Sequence, residues 1–258
     1  MFNRLSNLGT RPAERFECSP HNRGGASLPT PTKNKLLDGL AAEDLQALLP
    51  HLTEISLPQK QTLNTPGQRI EQLYFPTSGI VSLIASLDEG GAVEVGIIGQ
   101  EGVVGTPALL GSETASNEAF VQIAGTALRI PTGVLLDQFE ESRSMRRHLL
   151  RFAQALSFQI SQSAACNARH VIDERCARWL LAAQDRVGGN ELPLTHEFLA
   201  IMLGVRRAGV TVAAGALQRA GFIRYRQGHI TILDREGLEA ASCECYRTVT
   251  EEYARLTG

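Results

Sequence analysis

The segment 142-SRSMRRHLLRFAQALSFQISQSAACNARH-170 runs for nearly 30 residues without a glycine or a proline. Such a run fits a long α-helix, and the rest of the chain must be arranged around it. Met145, Leu149, Phe152, Leu156, Ile160 and Ser163 recur at three- and four-residue steps and so share one stripe, with Arg143, Arg146, Arg147 and Arg151 mostly beside it. A narrow apolar seam on a long helix commonly packs against a second long helix. No other segment nearby is long enough to cover it. Met145, Leu149, Phe152, Leu156 and Ile160 are therefore expected to form a homodimer seam, the alternative being a core helix of one domain.

The sequence changes character on either side of this helix. Residues 1–32 carry Pro12, Pro20, Pro29, Pro31 and the pair Gly24-Gly25, a composition that cannot bury a core, and read as a flexible arm. The leucines of 34–52 recur at helical spacing with a break near Gly39. From 54 to 131, short apolar runs (EISLP, QLYFP, GIVSLIA, VEVGII, AFVQIA, TALRIP) alternate with turn residues, which points to an antiparallel barrel or sandwich, and 88-DEGG-91 suits a hairpin turn. After the long helix come a second helix at 171–187, stopped by Gly188-Gly189-Asn190, a compact module at 192–233, and an amphipathic helix at 235–257.

The chain has 258 residues and a formal net charge of −2, which excludes a wholesale basic nucleic-acid coat but not one local basic face. Its longest apolar stretches, such as 79-GIVSLIA-85, fall far short of the roughly 20 residues that span a bilayer, so no membrane association is expected. The N-terminal residues lack an apolar core of signal-peptide length, which makes the cytoplasm the expected compartment. Cys18, Cys166, Cys176, Cys243 and Cys245 show no framework spacing and read as reduced thiols. Cys243 and Cys245 look too close for ordinary metal chelation and read as two thiols on a surface helix, with a thiol switch as the alternative. No P-loop, HExxH or Ser/His/Asp elbow is present, and Glu94 and Glu101 are the only acids of the glycine-rich face. The chain is expected not to be an enzyme, with no catalytic residue, no metal and no cofactor.

The informative stretch is 192-LPLTHEFLAIMLGVRRAGVTVAAGALQRAGFIRYRQGHITILD-234. Thr195 can cap a helix, Glu197 suits its first turn, and Gly204 breaks it in the manner of a helix-turn-helix. A second helix starts near Arg206 with Val210, Ala213, Ala214 and Leu217 facing inward, and 222-FIRYR-226 with 229-HITIL-233 forms a wing around Gln227-Gly228. Between Thr195 and Leu233 lie five arginines, no lysine and a single acid, Glu197, so positive charge is concentrated on this module, as phosphate binding requires. Arg206 and Arg207 open the second helix, the end that enters a major groove. Arg206, Arg207 and Thr211 are the candidate base or nearby phosphate contacts. Thr195, His196, Arg219, Arg224 and Arg226 are the candidate phosphate contacts. Gly209 is an oddity inside a helix and reads as a point of close backbone approach to DNA.

Helix, glycine-punctuated β-module, long helix and winged helix-turn-helix, in that order over about residues 34–234, resemble the Crp/Fnr family of bacterial transcription regulators. The segments 74-YFPTSGIVSL-83 and 94-EVGIIGQEGVVGTPALLG-111 are similar to that family's cyclic-nucleotide-binding fold. The resemblance implies an α+β chain. It would have a flexible arm at 1–32, a jelly-roll β-barrel sensor-like domain at 33–141, a dimerisation helix at 142–170, and a winged helix-turn-helix DNA-binding domain at 171–258. It also implies a homodimer on double-stranded DNA, with RNA polymerase as a further partner and an effector near Gly102, Gly105, Thr106 and Asn117.

Three departures qualify that picture. Cyclic-AMP-responsive members hold the ribose with a Gly-Glu pair and the phosphate with an arginine, where this chain has Gly105-Thr106 and Asn117, the latter beside Glu118. An anion would lose its counter-charge, so the expected effector is an unknown small molecule other than cyclic AMP; the alternative is an effector-free or thiol-modulated regulator. Oxygen-sensing members use clustered N-terminal cysteines, whereas this arm holds Cys18 alone. On the reading helix, Arg207 matches the first residue of the prototype's Arg-Glu-x-x-x-Arg arrangement, but Ala208 and Val212 replace the other two. The family's familiar half-site is therefore not expected.

Overall fold

The computed structural model describes residues 31–88 and 91–257. All but the last two residues of the expected arm lie outside that range, as do Glu89 and Gly90 of the expected hairpin turn. The chain opens with α1 (Lys35–Asp38) and α2 (Ala42–Leu48), separated at Gly39. Asn34 caps α1 by accepting from the Leu37 amide at 3.0 Å, and its own amide donates to the carbonyls of Pro76 and Gly102. A single fully buried asparagine thus ties the entry helix to two later segments, at Pro76 and Gly102.

Seven strands follow: β1 (Thr53–Leu57), β2 (Thr62–Asn64), β3 (Gln72–Pro76), β4 (Ile80–Ser86), β5 (Ala92–Ile98), β6 (Glu118–Ile123) and β7 (Gly125–Pro131), with a short α3 (Thr106–Leu109) between β5 and β6. They pair antiparallel in two sheets, β1-β7-β3 and β2-β6-β4-β5, so of the barrel or sandwich expected from the sequence it is the two-sheet arrangement that is present, without barrel closure. The chain steps from one sheet to the other between β6 and β7. There, a Cβ on Gly125 would lie 2.2 Å from the Ser78 carbonyl oxygen, so only glycine fits the crossing.

The chain continues through α4 (Thr132–Glu141), α5 (Arg143–Arg169), α6 (Ile172–Val187), β8 (Glu191–Leu192), α7 (His196–Leu203), α8 (Arg207–Arg219), β9 (Ile223–Arg226), β10 (His229–Ile232), α9 (Arg235–Ala240) and α10 (Cys245–Thr257). The long helix is present, started by the Ser142 hydroxyl accepting from the Met145 amide at 3.1 Å. Its stripe, however, is covered within the chain. Met145, Leu149, Phe152 and Leu156 are all buried among the sheets and α10, with the Phe152 and Tyr253 rings edge-on at 6.4 Å. Ile160 is half-buried beside them. The residues expected to form a dimer seam are therefore core residues. The cover the sequence seemed to lack is α10, which returns from the far end of the chain. The single amphipathic helix expected at 235–257 is in fact α9 and α10, broken at residues 241–244.

Two apolar cores result. One lies between the sheets and is closed by α1, α2, α4, α5 and α10. The other lies within α6–α9 and the β8-β10-β9 sheet, and it includes Ile80, Ile84, Ile97 and Ile123 from the outer face of the four-stranded sheet. Successive strand residues point to opposite faces, so Val81 and Ile98 serve the first core while Ile80 and Ile97 serve the second. Burial on both faces is why β4 and β5 read as continuous apolar runs rather than alternating ones.

Candidate nucleic-acid interface

The basic module is built on a sharp turn between two helices. Thr195 caps α7, its hydroxyl accepting from the Phe198 amide at 3.3 Å, a contact worth about 1 kcal/mol. Gly204 ends α7 with φ +59°, in the left-handed region that favours glycine, and its N–H reaches the carbonyls of Ala200 and Ile201. The buried Arg175 guanidinium on α6 donates to the Leu203 carbonyl at the same helix end. The chain turns through 105° into α8, within the range of helix-turn-helix units. Val210, Ala213, Ala214 and Leu217 bury one side of α8.

The opposite side is free. Arg206 at the cap, then Arg207, Ala208, Thr211 and Val212, are exposed, Val212 by 67%. Sequence reasoning treated Ala208 and Val212 only as lost polar contacts, yet they stand on the same outward face as Arg207 and Thr211. Their helical spacing from Arg207 could have shown this. An apolar group there suits the methyl of thymine, as an arginine suits guanine. Gly209, in contrast, faces inward. A Cβ on it would lie 3.2 Å from Ile172 Cδ1, so this glycine lets α8 approach α6 and is not a point of approach to DNA.

The wing is a two-residue hairpin, Gln227 and Gly228 having φ of +50° and +80°, which matches the right-handed twist of paired strands. Arg224 and Arg226 sit two residues apart on β9, both exposed. The wing tip lies against the start of α7: a Cβ on Gly228 would meet Thr195 Cγ2 at 3.5 Å. His196 stacks on Tyr225 at 4.1 Å, and its Nδ1 lies 3.1 Å from Thr211 Oγ1. Burial, with the charge of Arg207, pushes its pKa down, which favours the neutral ring. Thr195, His196, Thr211 and the wing therefore converge beside the start of α8. Arg219 stands at the far end, twelve residues along and so roughly 18 Å from Arg207 on the helix axis.

The residues expected around an effector are brought only partly together. Gly105, Thr106 and Asn117 line a cavity of about 260 Å³ with Leu83, Leu156 and Ile160 among others, and none of its lining residues is charged. Glu118 is not in the lining; it accepts from the Thr62 hydroxyl at 3.1 Å. Gly102 lies elsewhere: a Cβ on it would strike the Phe152 ring at 2.3 Å, so it serves packing against α5. A second cavity of about 640 Å³, which the sequence did not indicate, lies where β5, α5, α6 and α10 meet. Beside it, the buried Glu94 accepts from Ser82 Oγ and Trp179 Nε1, both at 2.6 Å, and Arg186 pairs with Glu101 at 2.7 Å.

The thiols also depart from expectation. Cys243 and Cys245 are buried rather than on a surface helix, and they sit with Cys166 and His170. A hydrogen bond from Cys243, with the nearby charge of Arg178, pushes the Cys166 thiol down to about 5. Among the described residues, no single helix is long and apolar enough to cross a membrane.

Comparison with known proteins supports both modules. Residues 54–142 match the family model of the cyclic nucleotide-binding domain, and residues 174–241 that of the Crp-like helix-turn-helix domain. The transcriptional regulator SdrP of Thermus thermophilus is 29% identical over 180 residues, spanning 67% of this chain and 85% of that protein. The structure of FixK2 from Bradyrhizobium japonicum has the same fold, with a TM-score of 0.65 at 17% identity over 74% of this chain and 98% of that one. The c-di-GMP-responsive global regulator CLP of Xanthomonas campestris superposes with a TM-score of 0.61 at 20% identity, covering 74% and 99%. With a cyclic-nucleotide-binding fold followed by a helix-turn-helix whose outward face carries the arginines, this chain belongs to the Crp/Fnr family of transcription regulators.

Proposed function

We propose that the chain is a homodimeric, sequence-specific DNA-binding regulator that reads each half-site with the outward face of α8. The observation that carries this reading is that Arg206, Arg207, Thr211 and Val212 share that exposed face, while Arg224 and Arg226 flank it on the wing. Arg207 and Val212 read base edges in the major groove. Arg206 and Thr211 contact bases or adjacent phosphates, and Thr195, His196, Arg219, Arg224 and Arg226 hold the phosphates. The chain divides into the arm at 1–32, the sensor-like module at 33–141, the long helix and the DNA-binding module at 171–258.

The second copy packs on the face of α5 that this chain leaves uncovered, where Leu150, Gln154, Ser157, Ser161 and Ala164 are exposed at helical spacing. RNA polymerase is a further partner of a regulator that activates. The neutral lining at Gly105, Thr106 and Asn117 suits a small uncharged effector and not a cyclic phosphate.

Selection of bound sequences from a random DNA pool, with purified protein and no added ligand, tests the reading. The expected outcome is an enriched palindrome whose half-sites lie about one helical turn apart. Binding that enriches nothing and vanishes as salt rises would overturn base reading by α8 in the ligand-free protein.

A further inference from the structure

Cys166 and His170 stand four residues apart near the end of α5 and so share one face of it. Cys243 and Cys245 come from the turn and first residue of α10, about 75 residues later. Their three sulfurs and one ring nitrogen all lie within 4.8 Å of one another. The Cys166 and Cys243 sulfurs are 3.6 Å apart, and Cys245 Sγ is 3.5 Å from His170 Nδ1. A tetrahedral ion with metal–sulfur bonds near 2.3 Å and metal–nitrogen bonds near 2.05 Å sets those edges at about 3.8 and 3.6 Å. A disulfide would join two of the four groups and leave a buried thiol and an aimed imidazole without a role. An iron–sulfur cluster spreads its ligands around two or more irons, wider than this set.

The surroundings are those of a held ligand set. His170 Nε2 faces Glu244 Oε1 at 3.3 Å, the carboxylate–histidine arrangement that orients a ligating imidazole through its other nitrogen. Gln162 Nε2 donates to Cys245 Sγ at 3.1 Å. Arg175 and Arg178 lie close enough to act electrostatically on the thiol cluster, which offsets the excess charge of three thiolates around a divalent ion. All three cysteines are buried, so the fourfold N/S set is closed to substrate and is of the structural kind.

We propose that Cys166, His170, Cys243 and Cys245 bind one zinc ion that staples α10 to the end of α5. Binding releases the protons that Cys243 and Cys245 still hold and fixes the 241–244 break that splits α9 from α10. His170 caps the end of α5, two residues before α6 begins at Ile172, so the ion holds the elbow between the long helix and the DNA-binding module.

The test is elemental analysis of the purified full chain, together with cobalt titration of the metal-stripped protein. The expected result is about one zinc per chain, and tetrahedral cobalt bands with a thiolate charge-transfer band that saturate at about one equivalent. Cys166→Ser, His170→Ala and Cys245→Ser should each lose most of the zinc, while Cys18→Ser keeps it. Because a ligand variant can fail to fold, the cobalt spectrum of the unaltered chain is the deciding measurement. A folded chain that carries no zinc and gives no tetrahedral cobalt bands would overturn the proposal, as would iron with acid-labile sulfide. None of these readouts depends on DNA binding.

Discussion

The cavity beside α3 and the outer face of α8 depart from their family pattern in opposite ways. The cavity is present, built by Gly105 at φ +103° and the apolar walls of β4 and α5, but none of its lining residues is charged. The face of α8 retains Arg207 and also carries Arg206, and the wing carries Arg224 and Arg226, while Ala208 and Val212 stand in place of the prototype's two other polar residues. In the first region the scaffold outlasts the chemistry. In the second the arginines that attract phosphate are present while two side chains on the outward face differ from the prototype's. Shape depends on many small apolar contacts, whereas recognition depends on a few polar atoms, so one region can lose its ligand without losing its fold.

Arg207→Ala gives the largest effect: a loss of about 1–3 kcal/mol per half-site for the selected palindrome, and little for random DNA, measured by competition binding at fixed salt. Equal losses for both would move Arg207 from base reading to phosphate holding. Next is the junction carboxyl. Burial pushes Glu94 up to about 7 from an ordinary 4.5, against the hydrogen bonds of Ser82 and Trp179 and the charges of Arg178 and Arg186. Between those values the folded chain holds more protons than the unfolded one. The stability from this group is therefore full at low pH and falls as pH rises through that window, by roughly 3 kcal/mol at most. Glu94→Gln should flatten that part of the curve of denaturation midpoint against pH.

Smaller still is Gly209→Ala. The helix gains up to about 1 kcal/mol, partly offset by the close approach to Ile172, and DNA affinity is unchanged because the position faces α6. A clear loss of affinity would return Gly209 to the DNA side. The smallest effect is that of cyclic AMP, which should leave the melting temperature unmoved. A shift would show that the neutral cavity finds its counter-charge in a second copy.

How much of this was legible in the sequence differs by region. The helix-turn-helix could be read residue by residue, because the Thr195 cap, the Gly204 turn and the Gln227-Gly228 hairpin are local features with their own backbone demands. The strands could be read as apolar runs in a barrel or sandwich, but which strand pairs with which could not. The fate of the α5 stripe was hidden as well: Phe152 is covered by Tyr253, about a hundred residues away, and periodicity along one helix does not reveal what covers it. The same holds for the thiols. The spacing of Cys243 and Cys245 pointed away from chelation, since the groups they gather with, Cys166 and His170, come from the end of α5. Those two partners carry a helical i, i+4 spacing that could have been noticed.

The hydrogen bond from Trp179 to Glu94 has an optical consequence. The chain has a single tryptophan, and it is 1% exposed at the contact between the four-stranded sheet and α6. Its emission is therefore a single-site reporter on the junction between the two modules. A red shift at constant circular dichroism would record the DNA-binding module parting from the sheet with both modules still folded. A red shift together with lost ellipticity would record unfolding. Protonation of Glu94, which accepts from the indole N–H, can be followed by the same unlabelled signal.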